Sequence, residues 1–190
     1  MSALSVRAVS TLNAIADTPK VSPSAAGTFK LGNVGRGGYA LDVTLLTPDS
    51  YVKSARLGDI DVLSDGFRLD NPPDRPLEIV IGSKGGTIRG IARDSSRVAA
   101  GGITVALVPD EIRRQRYELF RSATTDNAGR YEFRGVPPGN YKVLAWEDIE
   151  PKSWMEPAYL RVFEELGKGV VLGEGSSETV DVTAISPLER

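Results

Sequence analysis

The sequence predicts an all-β chain built as two tandem antiparallel β-sandwiches with one short helix in the second, and three observations carry that expectation. The 20 glycines and 12 prolines fall between short alternating apolar runs, the pattern of many strands joined by tight turns. The stretch Thr124–Asp148 reads as strand, bend and strand: Asp126-Asn127-Ala128-Gly129 tolerates a left-handed turn, and Arg130-Tyr131-Glu132-Phe133 alternates. Pro137 and Pro138 then stop pairing because neither has an amide hydrogen, and Tyr141–Trp146 resumes an apolar run. Finally, this stretch repeats. Gly27, Phe29, Leu31, Val34, Gly37 and Tyr39 stand 102 positions before Gly129, Tyr131, Phe133, Val136, Gly139 and Tyr141 with no gap, which points to an internal duplication. Each copy is expected to form a hairpin whose inner residues close one sheet onto another.

Taken in order, Leu4–Val9 alternates with period two and predicts a strand with Leu4, Val6 and Ala8 inward. Thr11–Ala26, interrupted by Pro19 and Pro23, reads as a loop with room for one short strand. After the first copy of the repeat come a strand over Tyr51–Leu57, short edges at Gly58–Leu63 and Phe67–Leu69, and a buried closing strand at Leu77–Ile81. Asn71–Pro76 is expected as a surface loop rather than a linker, since the closing strand still has to come back into the sheet. Small residues at Gly82–Gly86 mark a boundary, dividing the chain into domains 1–81 and 82–190. Strands then follow at Thr87–Ala92 and Ile103–Val108, with a charged excursion over Asp110–Arg116 before the second copy. Beyond Trp146, Ser153-Trp154-Met155-Glu156 has the spacing of a capping box, and Tyr159, Val162, Phe163 and Leu166 form an apolar face that Gly167 can end left-handed. That helix is expected to lie across the second sandwich, which Gly169–Leu172 and Thr179–Ile185 complete.

Composition excludes much chemistry. With 23 basic and 25 acidic residues the net charge of -2 supplies no long-range field for nucleic acid or an anionic membrane. The absence of cysteine removes disulfides and thiolate catalysis, and the absence of histidine removes Ser-His and Cys-His couples and imidazole-bound zinc. No catalytic, cofactor or metal residue is therefore expected. Met1–Lys20 has neither the basic start nor the apolar centre of an export signal, and no apolar run is long enough to span a bilayer.

GGTIRGIARD, GGITVALVPD, TTDNAGRYEFRGVPPGNYKVLAWED and ETVDVTAI together resemble the carboxypeptidase regulatory-like domain, a transthyretin-like (prealbumin-like) seven-stranded sandwich with a carbohydrate-binding-like fold, over about Gly85–Ile185. The first domain resembles that family through the repeat alone: Gly35-Arg36-Gly37 stands where the family has Pro-Pro-Gly, and no counterpart of Thr87–Ala92 precedes Leu4, so a degenerate or incomplete copy is expected. The resemblance implies a non-enzymatic structural or protein-interaction module of a larger bacterial protein, exported or in the cell envelope. Its expected partners are neighbouring domains of that protein or another envelope protein.

The alternative is carbohydrate binding, with Trp146 and Trp154 as a stacking platform and Glu147 and Asp148 orienting hydroxyls, extended by Tyr117. The plainer account makes both indoles core residues. Arg113, Arg114 and Arg116 beside Tyr117 have the composition of a phosphate or acidic-surface grip, although Asp110, Glu111 and Glu118 alongside fit a solvated loop. Asp110, Asp126, Asp148 and Glu150 lack calcium-loop spacing, and Glu164 and Glu165 are helical neighbours that cannot flank one glycosidic bond. Lys142, Asn140 and Glu147 supply the residue types of an isopeptide crosslink, but two of them stand close together on one strand.

Overall fold

The structure, a computed structural model, describes residues 4–11, 18–45 and 47–186. Part of the loop expected at Thr11–Ala26 lies outside those residues. The chain divides into two compact units, Met1–Ser83 and Lys84–Arg190.

In the first unit the strands are β1 (Ser5–Ser10), β2 (Gly37–Thr44), β3 (Tyr51–Leu57), β4 (Ile60–Asp61), β5 (Phe67–Leu69) and β6 (Leu77–Gly82). They form two three-stranded sheets, β1-β2-β5 and β4-β3-β6, with antiparallel pairing throughout. Val6 and Ala8 point inward from β1 as their alternation predicts. The core gathers Ala8, Tyr39, Ala55, Val62 and Phe67, and the Tyr39 and Phe67 rings stack at 5.6 Å. Two expectations fail here. Residues 28–36 form no strand, so the first copy of the repeat is not a hairpin. β6 is not buried either: Val80 is 50% and Ile81 36% exposed, because β6 pairs on one side only.

The second unit holds β7 (Gly86–Arg93), β8 (Thr104–Pro109), β9 (Arg121–Thr124), β10 (Arg130–Val136), β11 (Gly139–Trp146), α1 (Pro157–Phe163), β12 (Lys168–Leu172), β13 (Ser177–Thr179) and β14 (Val182–Thr183). One sheet runs β12-β11-β8-β9. The other runs β10-β7-β13, and β14 also pairs with β7. Ile88, Val105, Leu107, Tyr131, Phe133, Tyr141 and Val143 fill the space between them. β13 and β14 run parallel to β7, departing from a wholly antiparallel plan.

β10 and β11 are not a hairpin. β10 pairs with β7 and β11 with β8 and β12, so the Pro137-Pro138 bend carries the chain from one sheet to the other. Positive φ at Gly135 (62°) and Gly139 (146°) brackets the bend, and prolines without amide hydrogens suit a crossing that makes no ladder.

The helix also differs from its expectation. Ser153 lies inside a 3-10 turn, Ser153–Met155, that follows a left-handed Lys152, and makes no cap. α1 instead starts at Pro157, whose missing amide hydrogen costs nothing in a first turn. Leu160 and Phe163 therefore face inward while Val162 is 70% and Leu166 58% exposed, and Gly167 is extended at φ -71°. The inward face covers Ala106, Val108, Leu144 and Trp146, on the side of the β12-β11-β8-β9 sheet away from β10 and β7.

The two copies of the repeat share their turn chemistry at the same spacing. Gly27 and Gly129 take φ of 78° and 74°, and Asn33 and Gly135 take 58° and 62°. Ser24 N donates to Thr28 O at 2.8 Å as Asp126 N does to Arg130 O at 3.0 Å. The hydroxyl of Tyr39 donates to Gly35 O at 3.1 Å, and that of Tyr141 to Pro137 O at 2.8 Å. Pairing keeps the same order but not the same spacing: Gly37 stands opposite Leu69 and Gly139 opposite Leu172, and the bridge Val6–Val21 answers Val105–Ala123.

Candidate functional site

The residues singled out in the second unit do not assemble into a ligand site. Trp146 has no exposed surface: it ends β11 beneath α1, edge-on to Phe163 at 6.2 Å. Trp154 is 7% exposed and packs in the same cluster. Neither indole offers a face to a sugar, because the apolar side of the sheet needs both as cover. Glu147 and Asp148 are exposed, and Glu147 accepts a bond from Ser95 N at 3.3 Å.

The basic run is spent internally. Arg113 lies over the Tyr141 ring with its guanidinium carbon 4.8 Å from the centroid. It donates to Asp110 at 2.8 Å, Pro138 O at 3.1 Å and Asn140 O at 2.7 Å. It thus gives the Pro138 carbonyl of the bend a donor and adds a second donor to Asn140 O, which also accepts from Asp110 N at 3.1 Å. Arg114 pairs with Glu164, which holds that carboxyl below its ordinary range, chiefly through the hydrogen bond, and Arg116 pairs with Glu118 at 2.8 Å. Tyr117 is 67% exposed and borders a recess of about 270 Å³ with Arg114, Met155 and Pro157. The structure therefore brings Arg114 and Tyr117 together but gives the three arginines no common outward target. Lys142 donates to Glu164 O at 3.1 Å, away from the chemistry of a crosslink with Asn140 and Glu147. Among the described residues no group of three or more carboxylates is placed to hold a metal.

The larger concavity is in the first unit, where the sequence offers no candidate site residue. A cavity of about 740 Å³ is walled on one side by residues 29–36 and on the other by the loop 70–76. Its apolar floor comes from Phe29 and Leu31 at the foot of the near wall and from Leu57, Phe67, Leu69 and Leu77, the last four supplied by the end of β3, by β5 and by the start of β6. Charges rim it: Lys30 and Arg36 on one wall, Asp70, Asp74 and Arg75 on the other. Asp70 is met by Arg68 at 3.2 Å and Arg75 lies 3.6 Å from Asp59, whereas Lys30 and Arg36 make no ion pair among the described residues.

The local reason for the opening is readable. Pro72, Pro73 and Pro76 keep the far wall out of any ladder, and the near wall is the stretch that forms no strand. An apolar floor, a mixed-charge rim and an unladdered backbone wall thus meet in one concavity. The one sequence signal was Gly35-Arg36-Gly37 in place of Pro-Pro-Gly, which marks where the copies part.

A family model described as the carboxypeptidase regulatory-like domain matches residues 87–184. Colossin-A of Dictyostelium discoideum is 28% identical over 137 residues, which is 70% of this chain and 1% of that protein. The chain thus spans only about 1% of the length of the curated relative it matches. A candidate carbohydrate-binding protein of Pseudomonas aeruginosa is 18% identical over 53% of this chain and 88% of its own, at a TM-score of 0.38. The major pilin subunit of Bacillus cereus is 10% identical over 57% and 34%, at 0.33, and a 5-hydroxyisourate hydrolase of Klebsiella pneumoniae is 18% identical over 54% and 85%, also at 0.33. Scores of this size carry no inference about what the chain does.

Proposed function

The chain belongs to the carboxypeptidase regulatory-like domain family, and on that premise we propose that it is a non-enzymatic structural and protein-interaction module of a larger exported or cell-envelope protein. The observation that carries the reading is the first-unit cavity: about 740 Å³ of mainly apolar space beside a segment of unpaired backbone. Its partner is a neighbouring domain of the parent protein or another envelope protein. The envelope setting is drawn from the family resemblance; no helix among the described residues is long and apolar enough to cross a membrane. The carbohydrate-binding alternative loses its platform, because Trp146 and Trp154 are both inside the second unit.

The same proposal makes the first unit a second copy of the family fold. It is supported by the paired torsions and the paired tyrosine bonds at the 102-residue spacing, and by the same order of strand pairing around β2 and β11.

An environment-sensitive apolar dye bound to the full chain tests the module reading. Dye enhancement should fall in Leu31→Asp, and a panel of extended peptides should displace the dye while a panel of oligosaccharides does not. Displacement by oligosaccharides and not by peptides would remove the interaction-module reading.

A further inference from the structure

The wall of the cavity at residues 29–34 repeats the alternation and one backbone torsion of a paired strand and has no pair among the described residues. Its counterpart in the second unit, β10, pairs with β7 from Arg130 opposite Ile91 to Val136 opposite Gly86, with a bulge between Phe133 and Val136. At that bulge Gly135 takes φ 62°, and at the same spacing Asn33 takes 58°, a conformation that residues with a Cβ seldom adopt. The alternation survives as well: Phe29 and Leu31 are half-buried while Thr28, Lys30 and Gly32 are exposed, as Tyr131 and Phe133 are buried between exposed Arg130, Glu132 and Arg134. Yet among the described residues no backbone amide or carbonyl of 29–34 makes a hydrogen bond. Asn33 keeps the left-handed torsion of that bulge beside an open apolar cavity, and among the described residues no strand of the first unit pairs with the segment.

We propose that this cavity is a strand-acceptor site, in which an extended segment of a partner protein pairs its backbone with 29–34 and seats alternate apolar side chains on the cavity floor. The proposal rests on the interaction-module reading and names the partner's chemistry. A row of unmade amide and carbonyl contacts is satisfied by another strand and by no apolar small molecule, and six residues of strand run about 20 Å. The floor of Leu31, Leu57, Leu69 and Leu77 takes side chains that point one way. Those pointing the other way pass Lys30 and Arg36, which carry no ion pair among the described residues, so the partner's outward positions are acidic.

The probe is a synthetic octapeptide alternating valine and glutamate, added to the full chain and read by amide hydrogen exchange. Exchange at 29–34 should slow by about tenfold or more at saturating peptide, with α1 unchanged. The same peptide N-methylated at alternate residues should give no protection, and Leu31→Asp should abolish it while the exchange pattern of the second unit stays as in the parent. Dye displacement without slowed exchange at 29–34, or equal protection by the N-methylated peptide, would overturn the strand site while leaving the module reading intact. Concentration-dependent dimers in sedimentation with 29–34 protected and no peptide present would also overturn it, since a second copy would then be the occupant.

Discussion

Tyr141 donates its hydroxyl to Pro137 O at 2.8 Å while Arg113 covers its ring, so one phenol and one guanidinium hold the crossing between the sheets. Burial raises the Tyr141 pKa, which keeps the phenol a donor well into alkaline solution. Tyr141→Phe leaves the Pro137 carbonyl without that donor and should cost about 1–2 kcal/mol, read as a lower urea midpoint by circular dichroism. Glu164 offers a pH test. Its folded pKa is depressed, first by the hydrogen bond from Arg114, so its contribution is complete above the ordinary carboxylate pKa and is lost as pH falls through the lower folded value. Both partners are about one-quarter exposed or less, at 20% and 26%, which keeps the pair worth roughly 1 kcal/mol. Glu164→Gln should therefore be less stable than the parent by about that much at pH 7 and converge with it at the acid end of a stability titration. The tryptophans were legible as core residues from their aliphatic neighbours. The uses of the arginines were not, because Arg113 reaches Pro138 and Asn140 across 25 and 27 residues of chain.

Elements were more legible than their pairing. β1, β3, β7 and β11 lie within a residue or two of their alternating runs, since period-two patterning is local. The hairpin reading of β10 and β11 failed because proximity in sequence favours pairing, whereas the ladder partners, β7 and β8, come from earlier in the chain. The helix face failed for a related reason: α1 is only seven residues long, so beginning at Pro157 rather than Ser153 decides which side faces inward. Two glycines separate turn conformation from packing. Gly27 and Gly129 share a left-handed φ, but a Cβ on Gly27 would meet nothing within 4 Å, while on Gly129 it would lie 2.7 Å from Ala92 O. Gly27→Ala should cost about 1 kcal/mol and Gly129→Ala roughly 2–4 kcal/mol, compared by thermal unfolding of the two single variants.

At the scale of the whole chain, the six matched residues are what supports the proposed duplication, and they give no sign of the opening in the first unit. Phe29 and Leu31 repeat the inward phase of Tyr131 and Phe133, while nothing in a repeat says whether the partner strand is supplied. The contact division between Ser83 and Lys84 falls among small residues, and limited proteolysis should cut near Gly82–Gly85. The fragment beginning at Lys84 should keep a cooperative transition; its collapse after cleavage would show that the second unit borrows stability from the first. The two tryptophans of the chain, Trp146 and Trp154, are buried in the second unit. Intrinsic indole emission is thus a built-in reporter for that half, blue when it is folded and red-shifting as it melts. The first half stays spectrally silent at the same wavelength, so one cuvette can follow one half's unfolding without labelling either.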